Sequence, residues 1–157
     1  MVGAQESAPR TSRSALSAGG GSFPRYPSAL DVTPTRFVLR EILPFMRQAT
    51  VRSRSEHLSG DLEGEVLVND AAQAYPALGP QRGLPPGAML LERHMAPGSA
   101  APVVYFGMVK RAAGTDPAGG DWEYLVVSPE GQIESHGLVC GRCHAEAPHD
   151  HLFGASR

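Results

Sequence analysis

Pro102-Val103-Val104-Tyr105-Phe106-Gly107-Met108-Val109-Lys110-Arg111 is the stretch on which the fold turns. Its apolar residues run almost without interruption and are largely β-branched or aromatic, which predicts a strand too apolar to leave one face in water. Such a strand belongs in the middle of a sheet. On its C-terminal side, Gly114 to Gly120 reads as a hairpin loop, and Trp122-Glu123-Tyr124-Leu125-Val126-Val127 as the returning strand, closed by the turn at Pro129-Glu130-Gly131. On its N-terminal side, Ala88 to Met95 is a further strand with the polar end Glu92-Arg93-His94, preceded by a turn-rich loop from Gly79 to Gly87. Before that loop, Gly64-Glu65-Val66-Leu67-Val68 reads as a strand, and Asn69-Asp70 caps a helical run from Ala71 to Tyr75. The simplest topology is an antiparallel meander.

The chain starts differently. Asp31-Val32-Thr33-Pro34 has the chemistry of a helix start, and Phe37, Val38, Ile42 and Leu43 follow at helical spacing. Pro44 should bend or end that helix, with a second helical piece expected from Phe45 to Arg54. Residues 1–28 are rich in Ser, Gly, Pro and Ala and nearly empty of large apolar side chains, so they are expected to be a disordered arm. The expected organisation is therefore this arm, a helical segment over 29–62, and a sheet-bearing part over 63–157 that forms one domain with it. The fold class is α+β, an antiparallel sheet packed with helices.

Across 157 residues the formal net charge is −2, which supplies no electrostatic field for nucleic acid or an anionic membrane surface. Neither is an expected partner. No run approaches the ~20 apolar residues of a membrane helix, and no apolar export core is visible near the first residues. Basic residues are nearly all arginine, and Lys110 is the only lysine.

Both cysteines lie in Cys140-Gly141-Arg142-Cys143-His144, in a short helix expected from about Leu138 to Ala147 and ended by Pro148. A Cys-x-x-Cys-His run is the attachment pattern of c-type haem. Two intervening residues set the thiols about one helical turn apart, matching two vinyl groups on one porphyrin edge, and the next histidine is carried beneath the iron. Cys140 and Cys143 are thus the expected attachment residues for one haem c per chain, and His144 the proximal iron ligand. Three other readings compete: a disulfide within the loop, a zinc site completed by His149 and His151, and two buried free thiols. Haem c normally implies assembly outside the cytoplasm, so a periplasmic or otherwise exported location is expected. The lack of a visible signal then means that one was removed, that the start is truncated, or that the motif has another role.

The order strand, short helix, turn, three strands and haem motif resembles the cytochrome P-460 and cytochrome c′-beta family. Val66-Leu67-Val68-Asn69 before Ala71 to Tyr75 is similar to its first strand and helix, and Leu84-Pro85-Pro86-Gly87-Ala88-Met89-Leu90-Leu91 to its second strand. Met108-Val109-Lys110 with Gly120-Asp121-Trp122-Glu123-Tyr124 resembles its central hairpin, and Cys140 to His144 followed by Ala147-Pro148-His149-Asp150-His151-Leu152-Phe153 its C-terminal signature. The resemblance spans roughly Gly64 to Phe153. It implies haem held against one sheet face, commonly in a homodimer. Members either oxidise hydroxylamine, using a lysine cross-linked to the porphyrin, or lack the link and bind nitric oxide or a similar gas.

Alignment puts Glu92 where the cross-linking lysine belongs, while Lys110 better matches a different lysine of the next strand. The family's distal catalytic carboxylate would fall near Tyr105 or Phe106. The resemblance therefore implies a pentacoordinate gas-binding haem rather than an oxidase, with Phe106, Tyr105, Met89 and Glu92 as distal-pocket candidates and catalytic residues unknown. The alternative is an electron carrier serving a redox partner protein, with a sixth ligand from Met89, Met95, Met108, His94 or His136. A hydroxylamine oxidase, a peroxidase-like catalyst using Glu92 or His94, and a colourless zinc module are the further alternatives.

Overall fold

A computed structural model describes residues 39–137 and 139–154. The expected arm and the helix start at Asp31 lie outside these residues. The described chain opens with one helical turn, α1 (Leu39–Ile42), tightened into a 3₁₀ turn at Leu43–Phe45 that carries Pro44. The helical piece expected up to Arg54 does not form. Instead Arg47–Gln48 is strand β1 and Ser53–Arg54 strand β2, both paired with the same neighbour. This segment has no apolar stripe to bury as a helix, whereas a sheet edge offers it backbone partners. Ala49 N donates to Val66 O at 2.8 Å, and Thr50 Oγ1 accepts from Val66 N at 2.8 Å.

Five longer strands complete a seven-stranded antiparallel sheet: β3 (Glu63–Val68), β4 (Met89–Met95), β5 (Pro102–Lys110), β6 (Trp122–Val127) and β7 (Ile133–His136). Their order is β1-β3-β4-β5-β6-β7, with β2 also on β3. The meander is as expected and β5 is central. Its first residues are less covered: Val103 is 46 % exposed, opposite an irregularity in the pairing with β4 and ahead of the pairing with β6. β7 carries a single apolar residue and forms by adding to the free edge of β6. Helices are few and short, so the described fold is mainly β.

Asn69 joins β3 to β4. Its side chain accepts from Ala72 N and from Met89 N at 3.0 Å and donates to Gly87 O at 2.9 Å, which sets the start of β4 against the 3₁₀ turn Asp70–Ala72. That turn and a second at Tyr75–Ala77 replace the single helical run expected from Ala71 to Tyr75, because Pro76 takes up the first helical positions of a new turn.

Alternation of side chains along the strands divides the sheet into two faces. One carries Leu67, Met89, Leu91, Tyr105, Val109, Leu125 and Val127, packed under Leu39 and Ile42 of α1. The other has Val68, Leu90, Met108 and Trp122 packed under Ala72, Tyr75, Leu84 and Leu152 at one end, and opens into a cleft at the other. The motif helix α2 (Cys140–His144) lies over that cleft.

Candidate functional site

The cleft is open to solvent on one side and is lined mostly by apolar surface. Register explains its floor. Val66, Glu92, Phe106 and Val126 are successive cross-strand partners, as are Val68, Leu90, Met108 and Tyr124, so both rows share one face. Phe106 and Glu92 therefore meet the cleft as expected. Tyr105 and Met89 do not: each is one residue out of phase and sits in the opposite core, 4 % and 2 % exposed. The same parity places Met95 away from the floor.

α2 supplies the opposite wall. The Cys140 side chain lines the cleft, where burial pushes its thiol above the ordinary value, and Cys143, three residues on, is exposed. Close packing requires Gly137, since a Cβ there would collide with Cys140 Sγ. His144 lies four residues along from Cys140, so it projects from the same side of the helix, and it lines the cleft as well. Its Nδ1 donates to the His151 carbonyl at 2.7 Å, which fixes the tautomer and leaves the Nε2 lone pair free. Burial pulls this imidazole below its ordinary pKa, the carbonyl opposing it, and so favours the neutral form that ligates metals.

That carbonyl is itself held in place. Asp150 and His151 are both left-handed (φ 50° and 61°), an uncommon conformation for side-chain-bearing residues. The turn is anchored on three sides of Asp150: its carboxylate pairs with Lys110 and accepts from Leu84 N at 2.6 Å, and its carbonyl accepts from Trp122 Nε1 at 2.8 Å. Lys110, stacked 4.7 Å over Trp122, is thus committed to the C-terminal turn.

Beyond Glu92 lies a polar group that the sequence did not announce. Its neighbour Arg93 points to the other face and pairs with Glu65. Glu92 meets His57 Nδ1 at 2.9 Å and His94 Nε2 at 3.2 Å, and accepts from Ser55 Oγ at 3.0 Å. Gly64 makes room, because a Cβ there would strike the Glu92 carboxylate. Burial alone would push this carboxyl up, but the bonds from His57 and His94 outweigh it and hold the group well below the usual carboxylate range. Since the Ser55 proton goes to Glu92, His94 Nε2–H donates to Ser55 Oγ, at 2.8 Å. His57 Nδ1–H donates to Glu92, which leaves His57 Nε2 with its lone pair.

His57 and Ser55 lie in a polar stretch without periodicity or motif, so only tertiary structure reveals them. A hook presents His57: Leu58, Ser59 and Gly60 are successive left-handed residues (φ 49°, 61° and 74°), tied by Gly60 N to His57 O and Arg54 Nε to Gly60 O. His57 N also donates to Ser55 Oγ at 3.1 Å. Its ring packs edge-on to Phe106, centroids 5.0 Å apart.

These residues fit a covalently held haem. One thiol on the cleft wall, a second exposed on the same helix, a histidine with free Nε2 lining the cleft, and a buried Tyr124 hydroxyl without a hydrogen-bond partner among the described residues are a compatible set. They fit zinc less well. Among the described residues the one group with three converging metal donors is His57, Glu92 and His94, which includes neither cysteine, and His149 and His151 do not join Cys140 and Cys143. Of the expected sixth ligands, Met89 and Met95 face away, His94 is fully buried with Nε2 engaged, Met108 lines the cleft but is buried in the packed cluster at its end, and the side chain of His136 is outside the described residues. No helix among the described residues is long and apolar enough to cross a membrane. No protein-family model matches this chain, and no curated protein matches it.

Proposed function

We propose that this chain is a c-type monohaem protein that holds haem through Cys140 and Cys143, ligates its iron with His144, and binds nitric oxide or another small diatomic ligand in the cleft. The observation that supports it best is the anchored imidazole: His144 shares the cleft with Cys140, its Nδ1 is spent on a carbonyl, and its Nε2 is free. A bound haem supplies an iron that exchanges one electron and accepts a small axial ligand. The chain's residues set the terms of that chemistry. The His151 carbonyl orients His144 and raises its basicity, Phe106 and Leu90 keep part of the cleft apolar, and Glu92 is the acidic group beside it. A periplasmic or otherwise exported location, inferred from the haem motif, and a homodimer, implied by the resemblance, remain part of this reading.

Electron transfer is the second reading, favoured by the free Nε2 of His57 on the same cleft. Hydroxylamine oxidation has less support, because Lys110 is bound to Asp150 at the packed end of the sheet. The test is covalent haem in protein matured with a c-type haem assembly system. Cys140→Ala with Cys143→Ala should lose all haem on denaturing extraction, while the wild type keeps it; haem retained by the double variant refutes the attachment.

A further inference from the structure

We propose that His57 is the second axial ligand of the haem iron, opposite His144, so that the resting protein is six-coordinate and a gas binds only by displacing His57. The inference rests on the haem reading above. The His57 and His144 rings are nearly parallel, 19° apart, with centroids separated by 6.4 Å. Two imidazoles on one metal, each with a metal–nitrogen bond of about 2.0 Å and a centroid about 1.2 Å behind the nitrogen, would be about 6.4 Å apart. The observed centroid separation equals that value.

The free nitrogens agree with the spacing. Each ring spends Nδ1 on a fixed acceptor, Glu92 for His57 and the His151 carbonyl for His144, and among the described residues neither Nε2 has a hydrogen-bond partner. A carboxylate or carbonyl on the far nitrogen is the usual support of a metal-bound histidine. Consecutive left-handed residues follow His57 at 58–60 and hold the carbonyl that anchors His144 at 150–151. For the non-glycine residues such conformations cost about 1–3 kcal/mol each and persist where surrounding structure holds them, often at functional sites.

The same atoms argue against a separate ion between His57, Glu92 and His94. Their converging donors are already joined by the Ser55, His57 and His94 protons, so the contacts are explained as hydrogen bonds, and His57 Nδ1 rather than Nε2 faces Glu92. Glu92 is then a positioning residue. It holds His57 and increases the imidazole's electron donation, which favours the ferric state.

Spectra of the full-length haem-loaded protein test this. The wild type should be ferric low-spin, and His57→Ala high-spin, returning to low-spin with added imidazole, while haem content after denaturation is unchanged. The His57 side chain is 40 % exposed on a loop, so this truncation leaves the core intact. His57→Met should retain a ligand and raise the reduction potential. If the open form is populated at about 1–10 %, removing His57 tightens apparent nitric oxide binding about 10–100-fold. Covalent haem that is high-spin in the wild type, or low-spin in His57→Ala without imidazole, overturns the His57 assignment alone. Wild-type protein that takes up no covalent haem overturns the haem reading and this inference with it.

Discussion

The two faces of the sheet are built by the same strands yet serve opposite ends. Under α1, Leu67, Leu91 and Val127 are buried among other apolar side chains. On the reverse, the next residue along each strand, Val66, Glu92 or Val126, belongs to a face where apolar packing stops short and polar groups, left-handed turns and an open cleft take over. One face is optimised for stability, and the other gives up burial to hold a site. The comparison predicts that changes on the two faces separate stability from chemistry.

The largest effect on the cleft face should come from Asp150→Ala. It leaves the 11 % exposed Lys110 side chain without its carboxylate and unties Leu84 N, which should destabilise the fold by about 3–5 kcal/mol in urea unfolding. A loss under 1 kcal/mol would mean that the turn is held by Trp122 and local backbone bonds alone. Leu91→Ala, on the closed face, should cost about 3 kcal/mol, since the side chain is wholly buried, and should leave the fraction of covalent haem unchanged. If it lowered haem uptake in folded protein, the two faces would not be independent.

The smallest effect is a pH dependence. Burial first, and the Glu92 charge second, push the Tyr75 phenol up to about 12, while its hydroxyl donates to Phe153 O at 3.0 Å. A phenol with a raised folded pKa binds its proton more tightly in the native state, so its contribution is complete below pH 10 and is lost as pH rises from about 10 to 12. Alkaline unfolding should show a loss of about 2 kcal/mol across that window that Tyr75→Phe removes. An unchanged alkaline slope in Tyr75→Phe would assign the effect to Tyr124, which burial also raises to about 12.

Strands β3 to β6 were legible because each carries enough aliphatic and aromatic residues to declare a buried strand. The edges were not. Arg47-Gln48, Ser53-Arg54 and Ile133 to His136 have no strand pattern of their own and are recruited by neighbouring backbones. The site divides in the same way. Cys140, Cys143 and His144 form a local motif, so their association was readable from spacing. Tyr105 and Met89 required the register, which a continuous apolar run such as 102–109 does not encode. Ser55 and His57 required the fold itself, since they reach Glu92 across more than thirty residues of chain. Asp150 was visible beside the histidines, but its partners Lys110, Leu84 and Trp122 were not.

Lys110 carries one more consequence. As the only lysine, and nearly buried against Asp150 and Trp122, it gives the folded chain no accessible side-chain amine. An amine-directed reagent can reach it only when the C-terminal turn detaches from the sheet. Its acylation rate is therefore a built-in gauge of local opening, reporting how often the segment that anchors His144 lets go while the rest of the sheet stays folded.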